Sequence, residues 1–227
     1  GDAVTRRRYE RLVDRGATEI ALEPLQTDDT VRMIESHFPL TPYLTHAVAR
    51  RAQGLPLFVS LLLQYWSVQG YLEMGPDLKY GLRSGVALGD VLPPDLDALV
   101  ALHVRACLDS SEDRVAASEA LAATALSGTR PPLEVIRSVN DAGLDALLSC
   151  GLLKAEGAGL SFEHESVERT ARRIAHGLML VRDVHEKLAK AWQRLGDQSG
   201  MDVSLPAGVH LLRANNPQTA AMNLIAA

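Results

Sequence analysis

Two short motifs, well separated along the chain, carry the residue types that could touch a small ligand: Gly54-Leu55-Pro56-Leu57-Phe58 and Phe162-Glu163-His164-Glu165. In the first, glycine lets a backbone come close to a ligand, and proline stiffens the turn while presenting an apolar ring edge. Together Gly54 and Pro56 could form one wall against a flat base such as adenine. The same residues also make an ordinary connector, with Gly54 ending one helix and Pro56 opening the next. In the second motif His164 falls where a strand should meet a helix, placed to offer an N–H to a phosphate oxygen at the positive end of the helix dipole. Phe162 would anchor the strand. A hydrogen-bonded structural histidine at a strand–helix corner fits the same pattern. Arg172 and Arg173 follow on that helix and are candidate phosphate or partner contacts; a plain solvent face is the alternative, as it is for Arg6 to Arg8.

Other chemistry is hard to find. No Gly-x-x-x-x-Gly-Lys-Ser/Thr phosphate loop occurs, and no strand ends in an acidic pair that could hold magnesium. Asp95 with Asp97, and Glu163 with Glu165, read as solvated helix ends, not as an acid/base couple. Ser127 and Ser166 show no positioned histidine–acid partner. The seven histidines (His37, His46, His103, His164, His176, His185 and His210) include no pair at i, i+3 or i+4, and no cysteine is expected near any of them, so no zinc site is expected. The two cysteines, Cys107 and Cys150, form no metal-ligand spacing and suit a reduced compartment. No catalytic residue and no metal ligand is expected in this chain.

Composition narrows the class further. Hydrophobic residues make up 47% of the 227 but aromatics only 4%, so a core must be built from Ala, Leu and Val, which suits packed helices. A net charge of −5 argues against a broad nucleic-acid footprint. The start carries no signal peptide, and the longest apolar stretch, Leu55 to Leu63, is interrupted and too short to span a membrane. A cytoplasmic protein is expected. The chain opens without Met and stops at Ala226-Ala227 inside an apparent helix, which reads as a segment of something longer.

The elements that must position the motifs follow from caps and periodicity. A helix is predicted over Ala3 to Arg15, ended by Gly16, followed by a short strand over Thr18 to Leu25. Three helical segments come next. The first has Thr27 as N-cap and Val31, Ile34 and Phe38 inward, the second starts at Thr41-Pro42, and the third runs from Pro56 to about Tyr71. Met74 to Gly89 reads as a linker or mobile loop. Helices are then predicted from about Asp95 to Leu108, Ser111 to Ala125, Pro132 to Val139 and Asn140 to Cys150, closed by a hairpin turning at Gly157 and Gly159. Helices closed by a hairpin make a winged-helix domain. Helix resumes near Glu165 and breaks near Gly177. Ala207, His210, Leu211 and Ala214 pair with Ala220, Ala221 and Leu224 as two short antiparallel helices.

In this order "LEPL", "GLPLFVSLLL", "LPPDLDALV", "GLDALLSCGLL", "LSFEHESVERTA" and "RDVHEKLA" resemble the signal-transduction ATPases with numerous domains, in their bacterial branch fused to regulators, kinases or cyclases. The resemblance covers about residues 18 to 195, with a tetratricopeptide-like start beyond it. It implies a mainly α chain: 1–26 ending a nucleotide-binding α/β core, 27–90 a helical lid, 91–176 a winged-helix domain, and 177–227 a connector with the first repeat helices. By this resemblance Gly54 and Pro56 contact adenine, and His164 takes the place of the family's phosphate-binding Met-His-Asp histidine. Its flanks here are Glu163 and Glu165, not Met and Asp. The implied function is a regulatory fragment, not catalytic by itself, that holds ADP or ATP (with magnesium) only in the intact parent. Its implied partners are the core and effector domains of that parent, proteins bound through the repeats, and an oligomer on activation. A protein-interaction scaffold is the alternative. A DNA-binding winged helix is the weaker one, since the recognition-helix candidate Asp141 to Cys150 carries no Lys or Arg.

Overall fold

Helices dominate because the sequence supplies long runs of Ala and Leu with capping residues between them and few stretches of β-branched alternation. The structure, a computed structural model, describes residues 3–18, 20–128, 130–177 and 181–225, with the side chains of residues 3–8 outside that description. It is mainly α, with two small antiparallel hairpins, as the composition implies. The chain forms two units, residues 1–60 with 72–84, and residues 61–71 with 85–227.

In the first unit α1 (Ala3–Asp14) leaves its described side chains exposed, and α2 (Thr27–His37), α3 (Pro42–Ala52) and the opening residues of α4 (Pro56–Val68) supply the buried Ile34, Leu44, Val48 and Phe58. Thr27 is not the N-cap of α2. Gln26 holds that position in extended conformation without a side-chain cap bond, and Thr30 Oγ1 donates instead to the Gln26 carbonyl. The strand predicted over Thr18 to Leu25 is not formed among its described residues, and Ile20 and Leu22 lie exposed. Alternating residues make a strand only beside a partner edge, and no described strand lies alongside. The predicted loop after Met74 instead belongs to a hairpin, β1 (Leu72–Met74) with β2 (Tyr80–Leu82), in the register Leu72 to Leu82 and Met74 to Tyr80. Tyr80 explains it. Its N–H donates to the Pro39 carbonyl at 2.7 Å, its carbonyl accepts from Thr41 N–H at 2.9 Å, and its ring meets Phe38 at 5.1 Å. A Gly-rich segment is thereby stitched to the α2–α3 connection.

The second unit begins within α4, where Trp66 is fully buried and its indole N–H donates to the Val91 carbonyl at 2.7 Å. Val91 ends the short α5 (Leu88–Val91). Asp95 then caps α6 (Leu96–Ser110) through the Ala98 N–H, and Asp113 caps α7 (Arg114–Leu126) through two N–H groups. Helix α7 is central. Its alanines are buried on several faces, and α6, α8 (Leu133–Val139), α9 (Asp141–Ser149) and later helices pack around it. Small side chains allow that closeness. A Cβ added to Gly143 of α9 would lie 2.1 Å from the Ala116 carbonyl oxygen. Asn140 both ends α8 and caps α9, accepting from Gly143 N–H while donating to Glu119 of α7 at 2.9 Å.

The predicted hairpin follows, β3 (Leu153–Glu156) with β4 (Gly159–Phe162). Pro132 bridges to Gly159, and Leu160 N–H donates to the Pro131 carbonyl, so the segment entering α8 lines the hairpin's edge. Four helices, α6 to α9, thus precede the hairpin, as the sequence order predicts. Helices α10 (Glu165–Gly177) and α11 (Val181–Ser199) cover α7, and residues 178–180 between them, where the helical break is predicted, lie outside the described residues. Helices α12 (Ser204–Arg213) and α13 (Pro217–Ile225) run antiparallel, with Gly208 against Leu224, and share buried Ala189, Leu211 and Ala220 with α11.

Candidate functional site

The Gly54 turn is built by two successive left-handed residues, Gln53 at φ 48° and Gly54 at φ 74°. The second needs glycine for a further reason. A Cβ there would sit 2.2 Å from the Leu25 carbonyl oxygen, and Leu25 N–H donates to the Gly54 carbonyl at 2.9 Å. Gly54 is therefore buried against the Pro24-Leu25 backbone, while Leu55 and Pro56 stay exposed. The close approach that glycine permits is made to the chain itself, and the exposed apolar edge belongs to Leu55 and Pro56 in the first unit.

In the second unit His164 follows β4 directly. Its carbonyl accepts from Val167 and Glu168 N–H groups at 3.0 and 3.1 Å, which places it at the N-terminus of α10, the strand–helix corner the sequence predicts. The residue is half-buried, and its ring has no hydrogen-bond partner among the described residues. Glu163, Glu165 and Glu168 surround it in sequence, and their charge opposes the pull of the helix dipole on an anion.

Arg172 and Arg173 do not share the His164 corner. Eight residues of α-helix place Arg172 about 12 Å further along. Arg172 lines a separate cavity of about 530 Å³ with His176, Val181, His185, Arg213 and the end of α7. It also pairs with Glu168 at 2.7 Å. Arg173 is exposed and is not part of that lining.

His185 and His210 meet behind the cavity. Their Nδ1 atoms are 2.9 Å apart and their rings 5.1 Å apart, with each residue only 3% exposed. One ring must donate and the other accept, so the two cannot both be protonated. Burial lowers the pKa of His185 to about 4, helped by the Arg213 and His176 charges; burial does the same to His210, with His185 and Arg213 adding to it. No sequence spacing announces this cluster. The available signal is that both histidines lie on apolar helix faces, His185 with Val181 and Leu188, His210 with Ala207 and Ala214.

A second cluster joins α6 to the end of α9. Cys107 Sγ donates to the Cys150 carbonyl at 3.9 Å and Cys150 Sγ to the Leu147 carbonyl at 3.4 Å, and the interaction of the two neighbouring thiols lowers Cys150 to about 7 and pushes Cys107 up. His103 stands one turn before Cys107, 4.0 Å from its sulfur, which corrects the expectation that no cysteine lies near a histidine; residues four apart share one face of a helix. Among the described residues no group of three or more His, Cys, Asp or Glu side chains could hold a metal ion, and no helix is long and apolar enough to cross a membrane. No protein-family model, no curated protein and no solved structure matches the chain.

Proposed function

We propose that the chain is the regulatory part of a nucleotide-gated switch, reading ADP against ATP and relaying that state to other domains without performing hydrolysis itself. The observation that carries this reading is the Gly54 turn. It is locked by the Leu25 backbone and leaves Leu55 and Pro56 as a rigid, exposed apolar edge, suited to stacking against a purine. His164, with an unpartnered ring at a helix N-terminus, is the candidate phosphate contact. The remaining triphosphate and magnesium contacts would come from a phosphate-loop core in the parent protein. Closing over ADP would hold that protein inactive, and exchange would release it.

The test is calorimetric titration of ADP and ATP into the longer protein that carries this segment, beside its Pro56→Ala and His164→Ala variants. Tight ADP binding, weakened about tenfold or more by His164→Ala, is expected for a charge-assisted contact. Binding indifferent to both substitutions would sink the reading.

A protein-interaction scaffold is the second reading. It is favoured by the exposed Leu205 and Leu212 of α12 and Met222 and Ile225 of α13, an apolar row that these helices do not bury.

A further inference from the structure

We propose that the cavity between α7, α10, α11 and α12 is a binding site for a small organic phosphate. Its described lining contains Arg172, His176, His185 and Arg213 and no carboxylate, in a chain whose net charge is −5. Cations gathered against the overall charge of a protein create a local positive potential that draws anions. The basicity of His185 and His210 is depressed first by their burial and further by neighbouring charge, with Arg213 contributing to both.

The geometry suits a phosphate group. Arg213, in the last turn of α12, has no ion-pair partner among the described residues, so its fork of N–H donors is available. Arg172 approaches from α10 and keeps only one carboxylate contact, to Glu168. His185 Nδ1 is committed to His210, which leaves Nε2 as the ring's remaining polar atom, with no partner among the described residues. A buried imidazole fixed on one side by a second imidazole is preorganised, so little rotamer entropy is lost when an anion arrives. Ala125, Leu126 and Val181 supply an apolar wall beside these donors. At about 530 Å³ the cavity exceeds what an inorganic ion fills and falls within the size range of small-molecule sites. The site does not rest on the nucleotide reading, because Pro56 and His164 take no part in it.

The experiment is calorimetric titration of ribose 5-phosphate, inorganic phosphate and succinate into this chain at constant ionic strength, repeated with Arg172→Gln, Arg213→Gln and Arg194→Gln. Arg194 is exposed on α11 outside the cavity, so its loss controls for net charge alone. Saturable ribose 5-phosphate binding tighter than that of succinate is expected, weakened about tenfold by either cavity substitution and unchanged by Arg194→Gln. Ring nitrogen resonances of His185 should move on saturation. No saturable binding, equal affinity for succinate, or equal losses in all three variants would overturn the proposal. Should Arg213→Gln fail to fold, Arg172→Gln decides alone, since Arg172 is exposed and bonded only to its own helix. None of the probes carries adenine, so failure here leaves the nucleotide reading standing, and the reverse holds as well.

Discussion

His185 and His210 make the chain sensitive to acid in a direction that their environment sets. Both rings titrate near 4 in the folded chain, against an ordinary value of 6.5. A folded pKa below the unfolded one means that the unfolded chain binds more protons between these values. Stability is therefore fully present above about pH 6.5 and declines as pH falls toward 4. The pair titrates as a unit beside Arg213 and His176, and the loss reaches roughly 3 kcal/mol for the first proton taken up. Urea unfolding at pH 7.5 and pH 5 should show a lower midpoint at pH 5, and His210→Gln should flatten that difference. Equal midpoints in the unaltered chain would count against a neutral buried pair.

At the scale of elements, the contact of α7 with α9 decides how the helices before the second hairpin pack. Gly143 abuts the Ala116 backbone, and backbone cannot step aside as a flexible side chain can. Gly143→Ala is expected to destabilise by about 1–3 kcal/mol or more, the cost of overpacking. Gly89→Ala is the matched control, because a Cβ there meets nothing within 4 Å. Thermal melts of the two variants check this; equal melting temperatures would mean that α7 and α9 are less close than described. Asn140 strengthens the same junction, since one side chain caps α9 and reaches Glu119, which Lys187 of α11 also holds.

Across the whole molecule, charge argues against the DNA-binding reading of the helices and hairpin. The net charge is −5, and Asp141 and Asp145 of α9 pair with Arg137 of α8 at the place where a DNA reader would offer cations. Fluorescence anisotropy with duplex DNA should show no salt-sensitive association. An affinity that falls steeply between about 50 and 200 mM salt would reverse this expectation.

Much of the helical layout was legible in the sequence, because its signals act within one turn. Asp95 and Asn140 mark helix starts, Pro42 and Pro56 stand at first positions, and Gly157 with Gly159 marks the wing turn. The strand predicted over Thr18 to Leu25 and the loop predicted after Met74 differ from the structure for a single reason. Pairing depends on which backbone edge is available, and alternation alone does not say; Tyr80 found its edge at Pro39 and Thr41, and Ile20 and Leu22 found none. His164 could be placed at its corner from local order. The cavity could not, since only Arg172 and His176 share a helical spacing, while His185 and Arg213 come from two further helices. By itself the sequence determined a mainly α chain, the placement of most of its helices and the second hairpin, all properties of neighbouring residues, though it missed the short helix Leu88–Val91 inside the predicted loop. Only the tertiary structure decided which face Gly54 closes, that two distant histidines share a hydrogen bond, and that Arg172 and Arg213 line one cavity. These depend on packing between helices, and packing is set by shapes far apart in the chain.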